Sequence, residues 1–240
     1  LYGFLGDDYE IEREEYINNL KLWEKKNLGY EIKIIREKYD EIEKLVKLKF
    51  PNFYLTYKNY PQAIQRCDII RYMLMYHYGG VYSDLDVKPI YSIEKILFNI
   101  KSNNMNFSWA NIIFGIARIK DKKKCEQASK YESIRKGEPE IPIKLSNYFF
   151  LSRVKQHPIW LDILNLAQKR SQIKVKSQYG IIYSTGPDLV TTALSNNRHK
   201  YNDIAIIPID IFKKLVKHSC SGSWRNTNIL KECETNINIT

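Results

Sequence analysis

The sequence has few of the features that mark specialised protein classes. Its four cysteines include no Cys-x-x-Cys pair, which argues against a zinc site or a dense disulfide framework. No apolar run approaches the roughly 20 residues that span a bilayer, and no segment has the pattern of a signal peptide. We therefore expect a soluble domain. It would be cytoplasmic, or of the Golgi-lumenal type if an N-terminal membrane anchor lies outside this sequence.

Length and charge narrow the class further. With 240 residues, 44% of them hydrophobic, the chain can bury one sizeable core and is neither disordered nor fibrous. Lys and Arg total 38 against 27 for Asp and Glu, a formal net charge of +11. Such a charge suits an anionic ligand, for example a nucleotide diphosphate, an acidic membrane face or nucleic acid. Charge alone does not choose among them.

Apolar periodicity predicts alternating helices and strands. Helices are expected at 10–28, 40–49, 62–78 and 92–98. Strands are expected at 30–35, 81–87, 107–118 and 204–207, and strand-to-helix units at 143–169 and 180–195. This alternation predicts an α/β fold with a mostly parallel sheet flanked by helices.

Two carboxylates stand close together on the strand predicted at 81–87. Side chains alternate along a strand, so Tyr82, Asp84 and Asp86 should project to one side. Two unpaired carboxylates repel each other, and a cation between them resolves the repulsion. Hard oxygen ligands favour Mg²⁺ or Mn²⁺, whose shells waters and phosphates complete. The pair therefore predicts a divalent metal site.

The preceding helix carries a charged face. Gln65, Asp68 and Arg71 recur every three residues, opposite an apolar side. As a surface ion pair, Asp68 and Arg71 would contribute a few tenths of a kcal/mol. As part of a site, they would face the carboxylates of the following strand. The sequence leaves both interpretations open at this point.

Residues 66–87, RCDIIRYMLMYHYGGVYSDLDV, resemble the sugar-binding region of the family-32 glycosyltransferases. Their relatives include α1,4-galactosyltransferases, the yeast initiating α1,6-mannosyltransferase and clostridial glucosylating toxins. Asn147 resembles the family's asparagine ahead of a His-Pro turn, and residues 184–187 resemble its Thr-Gly-Pro helix start. His218, followed by Ser223-Trp224, matches the family's C-terminal His and Ser-Trp element.

The resemblance implies a single GT-A domain over 1–240, with a donor-binding core at about 1–120. The acceptor side and a C-terminal lid would occupy about 140–240. It implies a retaining transfer of a hexose or N-acetylhexosamine from a nucleotide-diphosphate sugar, with UDP favoured over GDP. The acceptor would be a hydroxyl of a glycan, lipid or protein, the cofactor Mn²⁺ or Mg²⁺, and nucleic acid would not be a partner.

The resemblance also assigns roles to individual residues. Asp84, Asp86 and Arg71 would be catalytic, with Asp86, Asp84 and His218 at the metal. His218 could instead contact the diphosphate. The donor would be bound by Phe4, Asp68, Arg71, Tyr82, Asp84, Asn147, Gly186, Pro187, Ser223 and Trp224.

Two other classes share parts of this pattern. Phosphatases of the haloacid-dehalogenase type also have an apolar strand that ends in Asp-x-Asp. Their motif, however, has Thr or Val two residues after the second Asp. Lys88-Pro89 follow Asp86-Val87 here. A basic protein that binds nucleic acid is the second alternative, although the chain has no RNA-binding motif and no basic stretch interleaved with aromatics.

Overall fold

The computed structural model describes residues 2–5, 14–36, 40–102, 109–119, 141–173, 175 and 177–219. Within them the strands are β1 (Tyr2–Leu5), β2 (Lys33–Arg36), β3 (Gly80–Asp84), β4 (Val87–Pro89), β5 (Ile112–Ile119), β6 (Ile143–Ser152), β7 (Ile204–Ile207) and β8 (Val216–His218). The helices are α1 (Glu14–Lys26), α2 (Asp40–Lys49), α3 (Pro51–Lys58), α4 (Ala63–Tyr78), α5 (Ile93–Ser102), α6 (Pro158–Arg170), α7 (Gln178–Ser184), α8 (Pro187–Asn197) and α9 (Ile209–Leu215). No helix of these ranges is long and apolar enough to cross a membrane.

Six of these strands form one sheet, in the order β2-β1-β3-β6-β5-β7. β1 is parallel to β2 and β3, and β5 is parallel to β7, while β6 is antiparallel to both β3 and β5. Only β6 therefore opposes the common direction within this sheet. The predicted α/β fold with a mostly parallel, helix-flanked sheet is confirmed.

The sheet separates two apolar clusters because successive side chains point to opposite faces. Phe150 packs with α4, α6 and α8 on one face, whereas its neighbours Phe149 and Leu151 pack with α1, α5 and α9 on the other. Fully buried aromatic rings join the layers, and Trp160 lies 5.2 Å from Phe150 between ring centroids. Both faces of the sheet are thus covered.

Helix α4 is the central helix of the fold. It is buried nearly all round, including Asp68 and Arg71, so the interpretation of this pair as a surface ion pair is wrong. The helix ends where predicted, at Gly79, whose amide donates to the Met75 carbonyl over 3.0 Å. Gly79 has a φ of 67°, which favours glycine, and a Cβ there would lie 3.1 Å from the Ser152 carbonyl oxygen.

Three predicted elements differ from the structure. The strand at 81–87 ends at Asp84, a turn follows, and β4 then pairs with β8 in a separate two-stranded sheet. The apolar run at 180–184 is helical rather than extended, since short apolar runs do not distinguish the two. Pro51 does not only end α2: it begins α3, because its missing N–H is harmless in a first helical turn.

Candidate metal and donor site

The two predicted carboxylates lie at the carboxyl end of β3, at the point where its chain leaves the sheet. Asp84 is the last residue of β3, and Asp86 lies in the following turn. His218, the last residue of β8, pairs with Val87 across the small sheet. Potential ligand atoms of Asp84, Asp86 and His218 all lie within 4.8 Å of one another. Two carboxylates and an imidazole form a donor set that suits Mn²⁺ or Mg²⁺.

Helix α1 holds this turn from outside the sheet. Asn19 donates its side-chain N–H to the carbonyl of Leu85 over 2.9 Å, and the Trp23 indole donates to the carbonyl of Val87 over 3.0 Å. Both side chains are buried. The turn that carries Asp86 is therefore anchored on both sides of the acidic residue.

His218 reaches the turn through α9 and β8. Its Nε2 lies 3.2 Å from Asp86 Oδ2, and the Ser219 amide donates to the Asp86 carbonyl over 3.0 Å. The Tyr148 ring stacks on the imidazole with centroids 3.9 Å apart and planes at 21°. α9 packs closely on β5 only because Gly115 lacks a side chain: a Cβ there would lie 2.2 Å from the Phe212 ring.

Arg71 lies between two acidic residues, Asp68 and Asp84, and contacts both. Its guanidinium contacts Asp84 Oδ1 at 2.9 Å and Asp68 Oδ1 at 3.0 Å, and it donates to the Asn147 carbonyl over 2.7 Å. The whole residue is only 3% exposed. One guanidinium thus serves two carboxylates, while Asp86 adds a third. This excess of negative charge favours a cation.

The electrostatics of Asp84 show the same imbalance. Burial raises the pKa of the Asp84 carboxyl, the Arg71 guanidinium opposes this rise, and the nearby Asp86 carboxylate adds to it. The Tyr82 hydroxyl donates to Asp84 Oδ1 over 2.5 Å and also lowers this pKa. Tyr82 itself is fully buried, so it touches the site through Asp84.

Asp68 lies one helical turn before Arg71 and is 3% exposed. Asn147 donates its side-chain N–H to Oδ1 over 3.1 Å, and the Thr185 hydroxyl donates to Oδ2 over 2.9 Å. Burial raises the pKa of Asp68 to about 6, although the Arg71 charge and the Thr185 bond lower it. The structure therefore brings Asp68, Arg71 and Asn147 together, and their contact with a donor stays a prediction.

The Thr-Gly-Pro segment lies against this group. Gly186 precedes α8 as its N-cap, and Pro187 is the first helical residue. A Cβ on Gly186 would lie 3.0 Å from the Ile182 Cα, so the close α7–α8 junction favours a glycine. Both residues adjoin Thr185, and their contact with a donor stays a prediction.

Three predicted residues are described in part or not at all. The backbone of Phe4 pairs with Asp84 across the sheet, which brings the end of β1 beside the carboxylates, but its side chain is outside the described part of the chain. Ser223 and Trp224 also lie outside the described residues. Their roles stay predictions.

Sequence analysis missed four residues that support the site. Thr185 belongs to the Thr-Gly-Pro segment at 184–187. Its bond to Asp68 was not predicted, because the two residues are 117 positions apart. Tyr148 carries no signal in the sequence except its place next to Asn147. Asn19 and Trp23 read as ordinary helix positions. Only the packing shows that they hold the turn.

Comparison with known proteins identifies the region that contains the carboxylates. Residues 13–103 match the family described as "Glycosyltransferase sugar-binding region containing DXD motif". This segment is similar to the sugar-binding region of glycosyltransferases. The matched segment includes Asp68, Arg71, Asp84 and Asp86, so the predicted resemblance is confirmed where its most specific motif lies.

Curated relatives match parts of the chain. Inositol phosphoceramide mannosyltransferase 3 of Schizosaccharomyces pombe is 40% identical over 58 residues, 24% of this chain and 16% of that protein. The initiation-specific alpha-1,6-mannosyltransferase of Candida albicans is 24% identical over 120 residues, 49% of this chain and 31% of that protein. The chain therefore spans less than a third of the length of these relatives.

Two solved structures align with most of the chain. The PaToxG glycosyltransferase aligns with a TM-score of 0.48 and 17% identity, over 82% of this chain and 68% of its own. Mouse xyloside xylosyltransferase 1 in its apo form aligns with a TM-score of 0.48 and 13% identity, over 92% of this chain and 98% of its own.

Proposed function

We propose that this chain is a metal-dependent retaining glycosyltransferase. It would move a hexose or N-acetylhexosamine from a nucleotide-diphosphate sugar to a hydroxyl of a glycan, lipid or protein. The observation that carries the proposal is the convergence of Asp84, Asp86 and His218 within 4.8 Å at the edge of a sugar-binding region. The proposed unit is one GT-A domain over 1–240, with a donor-binding core at about 1–120 and the acceptor side and a C-terminal lid at about 140–240.

The three residues fit a divalent cation by their chemistry. Asp86 would be a direct ligand, because its carboxylate faces the imidazole of His218. Asp84 is held by Arg71 and Tyr82, which fix the direction of its carboxylate. A Mn²⁺ or Mg²⁺ ion bound there would hold the donor diphosphate and neutralise the charge that grows on the leaving group.

The neighbouring residues would orient the donor sugar. Asp68 and Asn147 share one hydrogen bond and lie beside Arg71, so a carboxylate, an amide and a guanidinium converge. Such groups match the hydroxyls of a hexose and an anionic phosphate. Because Arg71 is buried against Asp68 and Asp84, its effect on the leaving group would act largely through the charge and position of those carboxylates.

The relatives indicate which donors and acceptors to test first. Both relatives described above are mannosyltransferases, and one is an inositol phosphoceramide mannosyltransferase. A mannose donor and a lipid acceptor are therefore tested beside the UDP-sugars favoured by the family resemblance. The sugar-binding region favours transfer over the phosphatase and nucleic-acid alternatives.

The test is a panel of UDP- and GDP-sugars assayed for transfer and for donor hydrolysis, with Mn²⁺ and with chelator. Asp86→Asn should lose nearly all activity and the metal-dependent part of donor binding while its melting temperature changes little. Asp210→Asn, at an exposed position of α9, is the matched control and should behave as the parent. Full activity of Asp86→Asn, or parent activity that chelator leaves unchanged, would refute the metal assignment.

A further inference from the structure

Thr185 occupies the junction between α7 and α8 and is completely buried. Its hydroxyl lies 2.9 Å from Asp68 Oδ2 and 3.3 Å from the carbonyl oxygen of Ile181. A hydroxyl has one proton to donate, and the nearer, charged acceptor makes the stronger bond. The Thr185 hydroxyl therefore donates to Asp68.

The junction is held in place by further bonds from α4. The Tyr72 hydroxyl donates to the Thr185 carbonyl over 2.8 Å, and the Gln65 side-chain N–H donates to the Ser184 hydroxyl over 3.0 Å. Gln65, Asp68 and Tyr72 thus reach two consecutive junction residues from one side of a buried helix. These buried bonds hold the backbone of the junction in place beside Asp68.

Asp68 depends on such donors because its charge is poorly compensated. Arg71 and Tyr72 face it from its own helix, Asp84 from β3 and Tyr60 from the segment before α4. The nearby cation, Arg71, is shared with Asp84. Burial raises the pKa of Asp68 to about 6, and the Thr185 bond is among the contacts that lower it. Near neutral pH, losing a donor would therefore change how much of this carboxyl is ionised.

The bonds to Asp68 also leave one of its acceptor positions available. A carboxylate offers about four acceptor positions. Thr185, Asn147 and Arg71 occupy three of them.

We propose that Thr185 is a positioning residue of the donor-sugar site, whose hydroxyl fixes the orientation of Asp68 and keeps it available as an ionised acceptor for a sugar hydroxyl. Thr185 acts through Asp68 and does not itself touch the donor. The identity of the ligand rests on the proposed function, whereas the coupling between the hydroxyl and the carboxylate is a property of the protein without ligand.

The coupling is tested by ¹³C NMR titration of the aspartate carboxyl carbons, with Asp68 assigned by its missing signal in Asp68→Asn. Thr185→Val, nearly isosteric, should raise the pKa of Asp68 by about one unit, whereas Thr185→Ser should leave it as in the parent. Thr191→Val is the matched control, because it removes another buried hydroxyl, one that bonds the Pro187 carbonyl over 2.7 Å. Equal Asp68 titrations in Thr185→Val and Thr191→Val overturn the proposal.

The positioning role is tested by the pH profile of kcat/KM for the donor. In Thr185→Val the acidic limb should move up by the same interval as the NMR pKa, with KM rising more than kcat falls, and Thr185→Ser should restore both. An unchanged limb overturns the proposal even where the titration moves. A parent that transfers no sugar from any donor contradicts the proposed function, and the carboxyl titration still decides the coupling between Thr185 and Asp68.

Discussion

Replacing Arg71 with methionine should destabilise the protein strongly, and more at neutral than at acidic pH. The variant keeps much of the side-chain volume but removes the guanidinium that contacts Asp68, Asp84 and the Asn147 carbonyl. Removing one partner of a buried ion pair typically costs about 3–5 kcal/mol. Asp68 alone already carries a penalty, because raising its pKa from 3.8 to about 6 corresponds to about 3 kcal/mol at neutral pH.

The sign of the pH dependence follows from those pKa directions. Both carboxyls have folded-state pKa values above their ordinary ones, so their contribution to stability is present at low pH and is lost as the pH rises through the folded-state pKa. Arg71 lowers both values, and its loss raises them further. The variant should therefore lose about 3–5 kcal/mol at pH 7.5 and clearly less at pH 5, where Asp68 is largely protonated in parent and variant alike.

Urea unfolding with chelator present, at both pH values, measures the difference. Arg118→Met is the matched control, since Arg118 is exposed on β5, and it should change the unfolding free energy by less than about 0.5 kcal/mol. The reasoning fails if Arg71→Met loses the same free energy at both pH values, or if it loses no more than the control.

Further predictions concern the delivery of His218 to the turn. Tyr148→Leu should weaken Mn²⁺ binding by about tenfold, because Tyr148 orients the His218 imidazole by stacking. The loss should be smaller than that of His218→Ala. Calorimetric titration with Mn²⁺ measures both affinities, and an unchanged affinity of Tyr148→Leu contradicts the prediction. Gly115→Ala should lower the unfolding free energy by about 1–3 kcal/mol, since its Cβ would lie 2.2 Å from the Phe212 ring. Gly115→Ala should also weaken Mn²⁺ binding. Adding Phe212→Leu should restore part of the unfolding free energy and part of the Mn²⁺ affinity. If the effects of the two substitutions simply add in the double variant, the two side chains do not clash directly.

The sequence predicted well what depends on local pattern. The Gly79-Gly80 stop, the helix before it and the strand after it could be read from neighbouring residues, because chain direction and backbone preference are set locally. The small sheet of β4 and β8 could not, since it joins residues 87–89 to 216–218. The strand prediction ran past Asp84 for this reason: an apolar Leu85 and Val87 continue the alternation, while long-range pairing turns the chain.

By itself, the sequence determined which groups are available: a carboxylate pair after an apolar strand, an Asp-x-x-Arg helix and a motif that resembles a glycosyltransferase sugar-binding region. The tertiary structure decided how those groups divide their charge. It buried Arg71 between Asp68 and Asp84, brought His218 to Asp86 and placed the Thr185 hydroxyl on Asp68. Spacing along a chain reports only neighbours on one element, whereas desolvation and the sharing of one guanidinium arise only when distant elements pack together.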